Sequence, residues 1–263
     1  MRTVKLAVAA LVAALFAFPA TADAQANKAQ IYHLAPKQGA ETGFEAALQN
    51  HAEWREKHDD PWTWHVYQIV QGKHLGHYIV RSGGHDWSEW DSYNQGFGQK
   101  AGSHYAATVA PLVGKSKAYV EAVDTALVRW PEQMEHPKLI SVDTYHLKPG
   151  GGEDWYGVAE GFHEAIVQED AEGYRYAVSY PVAGSAGWAR VVTPQENWAD
   201  FAPPERSSEE LMNAVHGEEE AQEMLERFTN SFHSTHSMVV RYRPDLSVHT
   251  EEGSSGMESD DDM

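Results

Sequence analysis

The sequence predicts an α+β protein: two tandem ferredoxin-like (βαββαβ) repeats packed sheet to sheet as an intramolecular α+β barrel. The first observation is a restart of the chain, because the string Tyr32-His33-Leu34 returns as Tyr145-His146-Leu147. The second is that strand and helix patterns follow in the same order after each string. The third is physical, since a ferredoxin-like unit covers one sheet face with helices and leaves the other bare. A second copy can bury that bare face, so we assign repeats to residues 28–131 and 138–245.

The first repeat begins with a short strand that stops before Pro36. Phe44 and Leu48 have helical spacing, and Asp59-Asp60-Pro61 ends that helix. Aromatic and β-branched residues on both sides of Gly72 indicate a hairpin. The predicted order is strand 30–34, helix 40–57, strands 62–70 and 76–82, short helix 85–93, a longer helix within 98–121 and strand 125–130.

The second repeat shows the same order. Its last helix opens with Ser207 and Glu210 at the spacing of a capping box. The predicted elements are strand 139–147, helix 153–169, strands 174–181 and 187–193, a short segment at 196–201, helix 207–231 and strand 237–242.

Both ends of the chain lie outside the repeats. Arg2 and Lys5, an apolar run at 6–18 and Ala22-Asp23-Ala24 are typical of a cleaved signal peptide over residues 1–24. We therefore expect a periplasmic or secreted protein. Residues 246–263 are predicted to be a disordered, solubilising acidic tail.

Charge and cysteine content exclude several classes of function. The net charge of −19 argues against nucleic-acid partners, and against membrane partners after signal cleavage. The chain has no cysteine, which excludes disulfides, thiolate metal sites, cysteine nucleophiles and iron–sulfur clusters. A small-molecule ligand remains compatible with this composition, and the sequence leaves open a monomer or a homo-oligomer.

Residues 28–245 resemble the dimeric α+β barrel superfamily in element order, duplication and the short segments carrying Trp87 and Trp198. That superfamily includes stress-responsive barrel proteins, NIPSNAP-like proteins, antibiotic-biosynthesis-type monooxygenases and tandem-fused chlorite-dismutase-like haem proteins. The resemblance implies a ligand cavity between the sheet and the helices of one unit. It carries over no catalytic residue, because no residue-level signature of a member is present.

Histidine is the residue type that could carry chemistry in this chain. Three of its fifteen histidines recur in register between the repeats: His33 with His146, His51 with His163, and His104 with His216. First-strand and helix side chains can converge in the cavity of such a unit, with His51 and His163 as the best catalytic candidates. Three imidazoles there could hold Zn²⁺, Cu²⁺ or Fe²⁺, or one could ligate haem iron. They could equally act as acid and base on an enolisable substrate.

The pocket prediction competes with a purely structural interpretation. Histidines on a strand or a helix are often hydrogen-bonded core or edge residues, and the aromatic residues of the hairpins are more often core than ligand wall. The expected pocket residues are His33, His146, His104, His216, Trp64 and Tyr176.

The sequence leaves two classes of function open. The first is an exported small-molecule-binding protein or enzyme, monooxygenase-like or dependent on a metal or haem. The alternative is a non-catalytic protein that uses the barrel as a scaffold for a partner.

Overall fold

A computed structural model describes residues 27–131, 134 and 136–249. The predicted signal peptide and residues 250–263 of the predicted tail lie outside this range. Within the described part of that tail, Leu246 and Val248 are buried, and Val248 forms a β-bridge with Trp64. The chain is therefore packed as far as Val248.

The first half contains four strands and three helices. Its helices match the predicted positions closely up to α2, and α1 buries the face that carries Phe44 and Leu48. The elements are β1 (Lys28–Pro36), α1 (Glu41–Lys57), β2 (His65–Gly72), β3 (Tyr78–His85), α2 (Trp87–Gln95), α3 (Phe97–Thr108) and β4 (Val113–Arg129).

The second half repeats this order of four strands and three helices. The predicted capping box of Ser207 and Glu210 is present, but the predicted helix 207–231 is broken at Gly217, whose φ is +81°. The elements are β5 (Leu139–Leu147), α4 (Gly152–Gln168), β6 (Tyr176–Ala183), β7 (Trp188–Gln195), α5 (Ser208–His216), α6 (Glu218–Ser231) and β8 (Phe232–Tyr242). No described helix combines the length and the apolar character needed to cross a bilayer.

The eight strands form one closed barrel, so the prediction of two ferredoxin-like repeats packed sheet to sheet is wrong. The strand order is β1-β3-β2-β8-β5-β7-β6-β4, with antiparallel pairing at every junction. The two halves therefore join edge to edge, through β2 with β8 and β4 with β6. Closure pairs the strand edges that would otherwise expose unpaired N–H and C=O groups.

The lengths of β4 and β8 explain the error. The last strand of the first repeat was predicted to begin only at residue 125, after a helix somewhere within 98–121, yet β4 starts at Val113 and pairs with both β1 and β6. In the same way, β8 starts at Phe232 rather than at Ser237 and pairs with both β5 and β2. Because β4 and β8 each pair with a strand of their own half and with one of the other half, the two sheets close into one barrel.

The sheet has a helical face and an interior face. Leu34 packs on Phe44 of α1 and Tyr145 on Trp155 of α4, so these side chains point outward. Ile31 of β1 clusters with Trp188 of β7, a strand that is not its neighbour, so this contact crosses the interior. Because side chains alternate along a strand, His33 and His146 belong to the interior face.

A buried ion network fills part of the interior. Arg190 on β7 donates to Glu121 of β4 at 2.7 Å, to the Tyr119 hydroxyl at 3.2 Å and to the Thr144 hydroxyl at 3.3 Å. Arg81 of β3 lies 3.8 Å from the same carboxylate. The Glu121 side chain is only 7% exposed, so its charge depends on these partners.

Replacing Gly72 with alanine tests the β2–β8 junction. A Cβ at Gly72 would lie 2.4 Å from the backbone oxygen of Ser237, and the residue has φ +86°. Clash and left-handed strain together are expected to lower the free energy of unfolding by about 2–4 kcal/mol. Gly76→Ala is the matched control, because Gly76 has φ +82° and open space around it. Urea unfolding measures both variants. Equal losses of unfolding free energy would show that β2 and β8 do not pack this closely at Gly72.

Candidate functional site

Two of the predicted histidines meet on the helical face of the first half. His51 lies on the buried face of α1, one turn beyond Leu48, and is 4% exposed. His104 on α3 faces it, with Nδ1 of one ring 2.8 Å from Nδ1 of the other. The rings are stacked, with centroids 5.1 Å apart. The packing of α3 on α1 thus makes an imidazole pair.

Arg55 determines which nitrogen of His51 carries the proton. Arg55 lies one turn beyond His51 on α1 and donates its Nε–H to Nε2 of His51 at 3.0 Å. A guanidinium can only donate, so Nε2 of His51 is the acceptor and its proton resides on Nδ1. That proton is donated to Nδ1 of His104, which leaves the proton of neutral His104 on Nε2. The pair therefore presents a fixed N–H donor at His104 Nε2. No described residue accepts a hydrogen bond from it.

Asp60 anchors Arg55. The Asp60 side chain is fully buried and forms an ion pair with Nη1 of Arg55. Asp60 also accepts hydrogen bonds from the Trp62 backbone at 3.0 Å, from Trp64 Nε1 at 3.2 Å and from the Tyr93 hydroxyl at 3.3 Å. Four donors on one carboxylate fix its position, and through Arg55 they fix the orientation of His51.

Burial and nearby cations keep the pair neutral. Burial, with the positive charge of Arg55 and the neighbouring His104, lowers the pKa of His51 to about 3. The pKa of His104 is also lowered, by burial and then by His58 and Arg55. Both rings are thus neutral at pH 7.

Acid should therefore weaken the fold through His51. Between pH 6.5 and about 3 the unfolded chain binds a proton at this histidine that the folded chain does not. The stabilisation is complete above pH 6.5 and is lost as the pH falls. We expect the unfolding free energy of the wild type to fall more steeply than that of His51→Gln, by about 1.4 kcal/mol per pH unit between pH 6 and 4. Urea unfolding at several pH values measures this difference. If the unfolding free energies of the two proteins changed with pH at the same rate, His51 would not be buried in its neutral form.

Aromatic rings line the approach to His104. The Trp54 indole stacks on His104 at 4.5 Å and on His58 at 4.3 Å between centroids, with interplanar angles of 10° and 25°. Phe97 lies 5.8 Å from Trp54. Trp64, predicted to line a pocket, instead lies behind the pair, where Arg55 sits over its ring at 4.8 Å.

The predicted histidines of the second half do not meet. His163 Nδ1 and the Tyr176 hydroxyl are hydrogen-bonded at 2.8 Å, and His216 Nε2 donates to the Gly161 carbonyl at 3.0 Å. Tyr176 is thus a partner of His163 rather than part of an open wall. Val167 stands four residues beyond His163, at the position that corresponds to Arg55, so this half has no arginine there.

His33 and His146 are separated from these sites by the sheet itself. His33 Nε2 lies 3.1 Å from Nδ1 of His77, and His146 Nε2 lies 3.2 Å from Nδ1 of His236. Burial, together with the nearby His77 and His74, lowers the pKa of His33 to about 4. The trio predicted from the repeat is therefore divided between two faces of the barrel.

A haem does not fit the helical side of the second half. Haem requires a flat cavity and a free axial nitrogen. Trp155, Ile166 and Leu211 are at most 1% exposed and fill the space between the sheet and α4–α6. A Cβ on Gly161 would lie 2.2 Å from the terminal methyl of Met224, so these elements are closely packed.

Two of the open concavities on the described surface have volumes of about 480 and 430 Å³. Both are lined largely by charged and polar residues of α6, and they share Glu223. The larger includes His216, and neither includes His51 or His104. The cavity expected in each repeat stays a prediction.

Sequence reasoning missed Arg55, Asp60 and Tyr93. Asp60 entered it only as a helix terminator. A signal for Arg55 was present, because it stands four residues after His51 and so shares its helix face. The contributions of Asp60 and Tyr93 depend on tertiary contacts across 33 residues of chain.

Known proteins resemble this chain in structure but not in sequence. No protein-family profile matches the chain, and no curated protein is significantly similar in sequence. The fold is similar to that of a "putative monooxygenase" from Lactobacillus acidophilus NCFM, with a TM-score of 0.51 and 8% identity over 84% of this chain and 96% of that one. A "putative monooxygenase" from Fusobacterium nucleatum gives a TM-score of 0.52 and 10% identity over 82% and 92%. A chlorite dismutase from Candidatus Nitrospira defluvii gives 0.48 and 10% over 83% and 92%.

Identities this low show a shared fold alone. The fold shared with the two putative monooxygenases confirms the predicted resemblance to the dimeric α+β barrel superfamily at the level of fold. The NIPSNAP-like relationship and the tandem fusion stay predictions.

Proposed function

We propose that this protein is an exported, monooxygenase-like enzyme for a small aromatic molecule, and that His104 Nε2–H donates a hydrogen bond to an oxygen of that molecule. The observation that carries the proposal is the 2.8 Å His51–His104 contact, whose proton positions Arg55 determines. The ring stack of Trp54 and His58 beside it suits a flat ligand.

A neutral imidazole with a fixed N–H is suited to polarise a carbonyl or to stabilise an enolate or phenolate oxygen. His51, held by Arg55, keeps the donor of His104 pointing away from the pair. An enolate or phenolate transfers an electron to O₂ more readily than its neutral parent does. The ligand loses its proton to solvent water, and stabilising the resulting anion is a useful first step for the oxygenation that the names of the two structural neighbours suggest.

Export forms part of the same proposal. It rests on the charged, apolar and small-residue segments of residues 1–24. The mass of the mature protein recovered from the periplasm or the medium tests it, with cleavage after Ala24 as the expected result. A cell-associated protein with an intact N-terminus would contradict it.

Binding of 4-nitrophenol tests the role of His104, because its absorbance distinguishes phenol from phenolate. We expect the wild type to bind the phenolate and to lower its apparent pKa. His104→Phe should bind at least tenfold more weakly, since a hydrogen bond to a charged group is worth about 1.5–3 kcal/mol.

Two further variants separate the role of His104 from a general effect on folding. His104→Gln, which keeps an N–H donor, should bind with intermediate affinity. His216→Gln, the corresponding change in the second half, should bind like the wild type. Equal binding by His104→Phe and the wild type would exclude His104 as the donor.

A further inference from the structure

A second group of imidazoles lies at one mouth of the barrel, on the opposite side of the sheet from the His51–His104 pair. His33, His74 and His77 form a nearly equilateral triangle, with ring centroids 5.1, 5.1 and 5.2 Å apart. Nε2 of His33 and Nδ1 of His77 are 3.1 Å apart. The function proposed above makes no use of this group.

Strand register and a tight turn bring the three rings together. His33 is on the interior face of β1 and pairs in register with Ile79 of β3. His77 directly precedes β3, and the turn from β2 to β3 returns the chain so that His74 faces both rings. His74 has φ +68°, a left-handed conformation that only a turn demands of a histidine.

The spacing fits three ligands of one tetrahedral ion. Imidazole nitrogens lie about 2.0–2.1 Å from Zn²⁺, so two of them in a tetrahedral set are roughly 3.4 Å apart and their ring centroids roughly 5.2 Å. The observed triangle has these dimensions. An ion placed there would replace the proton that His33 and His77 share across 3.1 Å.

One adjustment is needed before an ion can bind. With the side chains as they stand, no group of three His, Asp or Glu among the described residues could hold a metal ion. His74 is exposed, so packing does not oppose rotation of its ring to point a nitrogen at the centre of the triangle. His33 and His77 already place one nitrogen each near that point.

The surrounding charges restrict which ions can bind. Lys73, Lys115 and Lys117 influence these histidines, and positive side chains weaken cation binding. Mg²⁺ and Ca²⁺ need oxygen ligands, so a site made of three imidazoles among positive side chains excludes them. Zn²⁺ and Cu²⁺ bind neutral imidazole strongly enough to overcome this repulsion.

We propose that His33, His74 and His77 bind one divalent late transition-metal ion, Zn²⁺ or Cu²⁺, at the barrel mouth, with a fourth position open to water. Such an ion would tie the β2–β3 turn to β1. It would also place an exchangeable ligand position at the entrance to the barrel interior.

Titration of the metal-stripped, full-length protein with Zn²⁺, followed by calorimetry, tests this site. The expected stoichiometry is one ion per chain. His74→Asn should weaken binding at least tenfold, and asparagine tolerates the left-handed turn, so the fold is preserved. His233→Asn is the matched control, an exposed histidine 6.0 Å from His146 at the same mouth, and should bind as the wild type does.

Electron paramagnetic resonance of the Cu²⁺ complex gives a second readout that does not depend on affinity. Three coordinated imidazole nitrogens are expected in the wild type and two in His74→Asn. Absence of stoichiometric binding, an unchanged nitrogen count in His74→Asn, or loss of the ion in His233→Asn alone would each overturn the proposal.

Discussion

Asp60→Asn is expected to lower the free energy of unfolding by about 3–5 kcal/mol. The Asp60 carboxylate is fully buried and is the counter-ion of Arg55, whose side chain is only 14% exposed. Asparagine keeps the shape but leaves the guanidinium charge buried and unpaired, which is the costly way to break an ion pair. Urea unfolding at pH 7 measures the loss.

The control for Asp60 is an ion pair of similar geometry on the surface. Glu169 accepts from Arg206 at 2.7 Å, with side chains 34% and 41% exposed. Glu169→Gln should cost at most about 1 kcal/mol. Comparable losses in the two variants would show that Asp60 does not hold a buried charge. Asp60→Asn should also weaken 4-nitrophenolate binding, because a released Arg55 no longer fixes the proton of His51.

Glu121→Ala is expected to cost a similar 3–5 kcal/mol, for a reason that lies inside the barrel. Among the described residues, the change leaves Arg190, 13% exposed, with the hydroxyls of Tyr119 and Thr144 as its hydrogen-bond acceptors and no carboxylate within 4 Å. A buried guanidinium without a carboxylate is strongly destabilising. The effect should appear as a lower midpoint in urea unfolding with an unchanged slope.

A double variant separates charge from packing at this position. Glu121→Leu combined with Arg190→Met removes both charges and keeps the volume, so stability should return to within about 2 kcal/mol of the wild type. A double variant as unstable as Glu121→Ala would mean that packing, rather than the unpaired charge, causes the loss.

Local sequence patterns predicted the elements better than their assembly. β5 spans the predicted residues 139–147, because alternating β-branched and aromatic residues there admit one interpretation. β4 was misjudged, since its exposed first half, GKSKA, has no hydrophobic alternation. Its strand conformation depends on pairing with β1 and β6, and sequence does not reveal that pairing. The barrel closure was missed together with it.

In the candidate site too, local sequence patterns identified some residues, and only tertiary contacts identified the others. Helix periodicity placed His51 on the buried face of α1, and the repeat identified His104 as its companion. Repetition also grouped His33 with them, although strand alternation alone cannot say which sheet face is the interior. Only the packing of Leu34 on α1 settles this. Arg55 and Asp60, which determine the proton positions, became visible only with tertiary contacts.

The proton positions of the His51–His104 pair are the central claim, and ¹H–¹⁵N NMR of the imidazole rings measures them directly. The prediction is a neutral His51 with its proton on Nδ1 and a pKa of about 3, beside a His104 that carries its proton on Nε2 at pH 7. A His51 that titrates near pH 6.5, or that carries its proton on Nε2, would contradict the arrangement and the function built on it.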